Sequence, residues 1–161
     1  MPYQLPDLAY DFSGLQPVID AHTVEIHYTK HHATYLKNFN AALEKYPSFF
    51  DQSIEQILSN LEEIPEDIRT AVKNNGGGYY NHNLYWANMS PTATHTEPTG
   101  PIATAIQENF GNFETFKSNF EKAGLGRFGS GYAWLSRKPD GNLIIHSTAN
   151  QETPLAEGLT P

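Results

Sequence analysis

A chain of 161 residues is enough for one domain, or for two small ones sharing an interface, and it can bury a sizeable core. Cysteine is absent, which excludes a disulfide framework, a thiolate metal site and a cysteine nucleophile, so any metal here takes nitrogen and oxygen ligands. The formal charge of -8, from 10 Lys and Arg against 18 Asp and Glu, argues against nucleic-acid binding, because phosphate attraction needs clustered cations.

The opening residues carry no basic segment followed by an apolar run, and no stretch approaches membrane-spanning length, so the default expectation is a soluble protein of the cytoplasm. Pro2, Pro6 and Pro17, with aromatics between them, predict an extended arm and a turn into a first helix capped by Asp20. Helical period then holds from about Ala21 to Lys45, and Pro47 ends it. On that helix a four-residue spacing stacks His27, His31, Tyr35 and Phe39 on one face, while His32 falls off the stripe and is expected to face solvent. A helix normally turns Leu, Ile or Val inward, so a stripe of two imidazoles and a phenol either satisfies buried polar groups or points them at something, with a metal ion the first candidate.

A short helix is expected near Ile54 to Leu61, and a second long one from about Glu66 to Met89, completing a helical hairpin. The run Gly76, Gly77 and Gly78 sits inside it. Three glycines disfavour a helix by roughly 1 kcal/mol each, so a break at Gly76 is one reading, and close approach of bulky groups to bare backbone is the other. Beyond them Tyr79, His82 and Trp86 share a face, again a histidine within an aromatic wall.

Ser90 to Pro101 changes to Pro, Thr and Gly and is read as a linker. The expected division is a helical domain over 1–90, a linker over 91–101 and a second domain over 102–161. That second domain starts with a helix from about Ile102 to Phe110 and another carrying Phe113, Phe116 and Phe120. A hairpin follows, of strands Tyr132 to Ser136 and Leu143 to Thr148 around the turn signal Pro139, Asp140, Gly141 and Asn142. The remainder, Thr153 to Pro161, is expected to add neither helix nor strand, which leaves an Ile-rich edge open. The fold class is therefore α+β, a long helical hairpin followed by an α/β domain with a small antiparallel sheet that is incomplete in this chain.

A single histidine on an apolar face is more often a hydrogen-bonded core residue than a ligand. Two of them on adjacent helices, each beside tyrosine or tryptophan, shift the balance towards a metal. Hydrolytic readings fail: a zinc protease helix needs Glu where Tyr28 stands, Gly129, Ser130 and Gly131 lack the spacing of a nucleophile elbow, and the Glu-x-x-His pairs of a di-iron bundle are not supplied.

Four stretches carry a family resemblance. They run from Glu25 to Tyr35, from Asn74 through Gly78 to Trp86, from Arg127 to Leu135, and from Ser147 to Gln151. In order and spacing they closely resemble the iron/manganese superoxide dismutases, from Pro2 to Pro161. The resemblance implies one mononuclear metal per complete subunit, manganese with iron possible, between a helical hairpin and an α/β domain, and a homodimer or homotetramer acting on superoxide. It implies His27 and His82 as two of four protein ligands. By the same resemblance Tyr35 and His31 line the substrate entrance, Trp134, Tyr132 and Trp86 wall the site, Lys30 attracts the anion, and Gln151 hydrogen-bonds solvent at the metal. Gly78 leaves room where an alternative glutamine would reach, which with Gln151 marks the manganese type.

Two departures stand out. Tyr132 replaces the Trp usual in the family, and family members carry a later Asp-x-x-x-His segment that supplies the other two ligands. The expectation is that the 161 residues are part of a dismutase that continues into that segment. The alternative is a two-histidine metal-binding or interaction module without dismutase activity.

Overall fold

The computed structural model describes residues 1–92 and 97–161, which fall into two compact units, Met1–Ala93 and Thr94–Pro161. Residues 93–96, within the predicted linker, lie outside the described residues.

The first unit is a helical hairpin. Asp20 caps its first helix as expected, its carboxylate accepting from Thr23 N–H at 2.9 Å and from the Thr23 hydroxyl at 2.6 Å. Helix α1 (Ala21–Ile26) runs through a π-helical turn, His27–His32, into α2 (Ala33–Leu43) without a break. A second helical stretch repeats this construction. Helix α3 (Ile54–Ser59) begins on a Ser53–Gln56 capping box, and α4 (Glu66–Ala71) continues through a π-helical turn at Val72–Gly76 into α5 (Gly77–Ala87).

The first π turn corrects one expectation, and the glycine run decides between the two readings open for it. A π turn widens the helix by about one residue, so the strict four-residue stripe slips at His27–His32. His32, expected at the surface, is wholly buried with 0% exposure, and His31 is the exposed member of the pair. The glycine run does not break the helix either. Gly76 and Gly77 both keep right-handed helical backbone. A Cβ on Gly76 would lie 3.0 Å from the Phe39 ring and one on Gly78 only 2.4 Å from the Tyr35 ring, so the bare backbone lets α2 and α5 close on two aromatic side chains.

Phe39, Leu43, Ile57, Leu58, Ile64 and Val72 fill the hairpin's core at no more than 1% exposure. A second cluster, Leu15, Val24 and Trp86, gathers Leu8, Tyr10, Phe12 and Tyr28 around it. The N-terminal arm is tied down by side chains of the helices. Asn40 exchanges hydrogen bonds with the Tyr3 backbone at 3.0 Å in both directions, Tyr28 donates to Pro6 O at 2.7 Å, and Tyr79 donates to Gln4 O at 2.8 Å.

In the second unit α6 (Pro101–Phe110) and α7 (Phe113–Leu125), the latter capped by Asn112, precede strands β1 (Gly131–Arg137) and β2 (Leu143–Ala149). The strands pair antiparallel with Trp134 opposite His146. Contrary to the expectation of a bare tail, Pro154–Glu157 forms a 3₁₀ turn and Thr160 bridges Arg137 on the far edge of β1, with N···O distances of 2.7 and 3.0 Å. The tail's backbone groups are thus partly satisfied at the β1 edge, not at the Ile-rich β2 edge that was expected to be open.

On the sheet, Ser136 and Thr148 are buried polar residues with partners. Trp134 donates to Thr148 Oγ1 at 2.8 Å, and Thr148 donates to Glu152 O at 2.8 Å. His146 Nε2 lies 3.0 Å from Ser136 Oγ. Burial lowers His146 below the ordinary 6.5, with Glu157 opposing the shift. Such a histidine binds fewer protons folded than unfolded. Its contribution is whole above the unfolded pKa and is lost as pH falls from about 6.5 through the folded value. NMR titration should therefore place His146 below 6.5, and His146→Asn should lose less stability on acidification from pH 7 to 5 than the parent chain does.

Candidate metal centre

The helical hairpin brings His27, His31, Tyr35, Gly78, His82 and Trp86 together. His27 leaves the first π turn and His82 leaves α5, and their rings meet edge to face with centroids 4.9 Å apart. Trp86 closes on His27 at 4.9 Å and Tyr85 at 5.1 Å. Tyr35 stands 5.2 Å from the His82 ring, held where Gly78 has no side chain. His31 lies 6.0 Å from His27 on the exposed side, and Lys30 is exposed beside it.

Orientation of His82 is set by its own helix. Its Nδ1 lies 2.7 Å from Gly78 O, a distance at which Nδ1–H donates to the carbonyl and the ring's lone pair sits on Nε2. Burial also decides the charge state. It lowers His27 from 6.5 to about 4, with His82 and His31 adding to the fall. It lowers His82 as well, against the raising effect of the Gly78 bond. Both rings are therefore neutral near pH 7, the state in which imidazole donates to a metal.

This donor set fits manganese or iron, which take neutral imidazole together with carboxylate oxygen. Among the described residues no group of three or more His, Asp or Glu side chains forms a full ligand set. The hairpin contributes a pair.

The other candidates belong to the second unit. Trp134 is buried on β1 with its indole N–H on Thr148, and the Tyr132 ring lies 5.6 Å from it. Gln151 follows Asn150, whose left-handed backbone, φ 51°, is fixed by Asn150 N to Ser130 O at 2.8 Å and Ser130 Oγ to Asn150 Oδ1 at 2.7 Å. Two grooves of this unit, about 350 Å³ along Pro98, Ile106 and Phe113 and about 290 Å³ along Phe116 and Phe120, are lined by none of the candidate residues.

Sequence reasoning missed His32. It lies against His82, 5.4 Å between centroids and 22° between planes, and accepts from the Trp86 indole N–H at 3.2 Å. The His31–His32 doublet was the available signal, since one of two adjacent histidines must leave a regular stripe unless the helix widens. The contact between Gly78 and Tyr35 is testable. Gly78→Ala should push Tyr35 off its place and destabilise the chain by about 1–3 kcal/mol in urea denaturation, the range for overpacking a filled site.

Comparison with known proteins follows the same two units. Residues 2–90 match the iron/manganese superoxide dismutases, alpha-hairpin domain, and residues 98–161 match the iron/manganese superoxide dismutases, C-terminal domain. A manganese superoxide dismutase of Thermus thermophilus is 49% identical over 160 residues, covering 99% of this chain and 78% of that protein. That of Pseudomonas aeruginosa is 51% identical over 161 residues, covering 100% and 78%, and a relative from Methylomonas named as a Mn/Fe superoxide dismutase is 50% identical over 159 residues, covering 99% and 78%. With both domain families matched along nearly the whole sequence, the chain belongs to the iron/manganese superoxide dismutase family.

Proposed function

We propose that this chain carries the metal-binding helical hairpin and part of the α/β domain of a manganese superoxide dismutase, with iron as the possible alternative metal. The observation that carries this reading is the pair of neutral, half-buried to buried imidazoles, His27 and His82, crossed at 4.9 Å. A manganese or iron ion held by these residues would supply a one-electron redox couple. Overall, two superoxide anions and two protons become one oxygen and one hydrogen peroxide.

The chain's residues divide the remaining work. His27 and His82 hold the metal through nitrogen. Tyr35, whose hydroxyl-bearing ring stands against His82, and Gln151 are the groups proposed to hold and move protons. Lys30, exposed at the mouth of the histidine cluster, offsets the net charge of -8 for an approaching anion, and His31 lines the entrance beside it. Trp86 and Tyr85 exclude water from His27, while Trp134 and Tyr132 are the aromatic contribution of the second unit. Gly78 supports this assignment by leaving space only for the Tyr35 ring.

Support for manganese comes from the names of the relatives and from Gln151 standing in the stretch that resembles the manganese type. The proposed organisation is a domain over 1–90, a linker over 91–101 and a domain over 102–161, in a homodimer or homotetramer of the cytoplasm. Among the described residues no helix is long and apolar enough to cross a membrane. The second reading is a two-histidine metal-binding or interaction module without dismutase activity, built on the His27–His82 ring contact alone.

The two readings part on the coding sequence: an in-frame continuation encoding an Asp-x-x-x-His segment supports the enzyme, and its absence supports the module. His27→Ala and His82→Ala should each lower manganese affinity by about 100-fold or more, beyond the loss typical of an outer residue. Manganese retained by either variant in elemental analysis contradicts the ligand assignment. Tyr35→Phe should keep the metal and, in a chain that turns over, slow it by about tenfold or more, the scale of a lost proton-transfer group.

A further inference from the structure

We propose that His32 is the positioning residue of the histidine pair, holding His82 by ring stacking and His27 through Trp86. The proposal rests on the metal-centre reading above and goes beyond it. His32 lies in neither the ligand pair nor the exposed entrance. It is wholly buried at the end of the π turn that begins with His27.

Two contacts define its role. The first is planar. The His32 ring lies 22° from the plane of His82 at 5.4 Å, and 29° from the plane of Tyr79 at 5.6 Å. His82 can turn about its last side-chain bond, and the Nδ1–H bond to Gly78 O fixes one of its edges. A flat ring against its face restrains rotation about that side-chain bond. The second contact is polar. Trp86 Nε1–H donates to His32 Nδ1 at 3.2 Å, which places the His32 proton on Nε2 and pins the indole. The same indole meets His27 edge-on at 4.9 Å and 63°. One buried imidazole therefore touches one candidate ligand directly and steadies the other through a single intermediary.

A plain packing residue needs only the right volume. Positioning needs both the flat face and the acceptor nitrogen. Phenylalanine keeps the face and removes the acceptor, leaving a buried indole N–H without its partner. Glutamine keeps an acceptor and removes the face.

The experiment uses the full 161-residue chain with 15N-labelled histidine and tryptophan, as the parent, His32→Phe, His32→Gln and His82→Ala. Long-range 1H–15N spectra without metal read the His82 tautomer and the Trp86 indole N–H, and competition titration reads manganese affinity. In the parent, His82 should show a single Nδ1–H pattern. His32→Gln should mix the two tautomers of His82 while keeping a hydrogen-bonded Trp86 signal. His32→Phe should keep the His82 pattern and lose that indole signal. Both should weaken manganese binding about 10- to 100-fold, the range for residues that orient ligands. Parent spectra at both His82 and Trp86, with parent manganese affinity in both His32 variants, overturn the proposal when His82→Ala has lost the metal. If His82→Ala binds manganese like the parent, the metal-centre reading fails instead, and the metal-free spectra still decide whether His32 orients the two rings.

Discussion

The close approach of α2 and α5 is the constraint on which the candidate centre depends. It exists because Gly76 and Gly78 present bare backbone where Phe39 and Tyr35 lie, with no room for a Cβ at either place without displacement. Helix propensity opposes three successive glycines by roughly 1 kcal/mol each. The aromatic core they admit offsets this, since burying one Phe side chain contributes about 1.5–3 kcal/mol. Phe39, at 0% exposure, also touches Tyr3 at 5.0 Å, so the same closure anchors the N-terminal arm.

Two π-helical turns, His27–His32 and Val72–Gly76, sit one on each long helical stretch of the hairpin. Along the first, His32 lies inside and His31 at the exposed side. The wide turn costs hydrogen-bond quality, and in return an inward histidine cluster forms in a helix that elsewhere buries Val24, Phe39 and Leu43. Burial then keeps His27 and His82 neutral. The environment that makes charging them unfavourable also leaves each ring a nitrogen lone pair, the form in which imidazole binds a metal.

Much of this was legible in the sequence because it follows from local chemistry. Asp20 announces a helix start, and the turn residues Asp140 and Gly141 lie between two strands that pair in register. His27, Tyr35, His82 and Trp86 come together as their spacing suggested. The placement of His32 was not legible, because periodicity assumes 3.6 residues per turn and a π turn obeys tertiary packing instead. The fate of the glycine run was likewise undecided, since propensity and close packing pull in opposite directions and only the partner helix settles which wins. The bridge of Thr160 to Arg137 escaped notice because a single backbone pair leaves no side-chain pattern.

The proposed centre requires His27 and His82 to donate jointly to one metal. Pulsed electron paramagnetic resonance on the manganese(II)-loaded chain, with 15N in the histidine rings, tests this. Hyperfine couplings from two imidazole nitrogens of this chain are expected, one vanishing in His27→Gln and the other in His82→Gln. A spectrum with no imidazole coupling, or one that neither substitution alters, contradicts it.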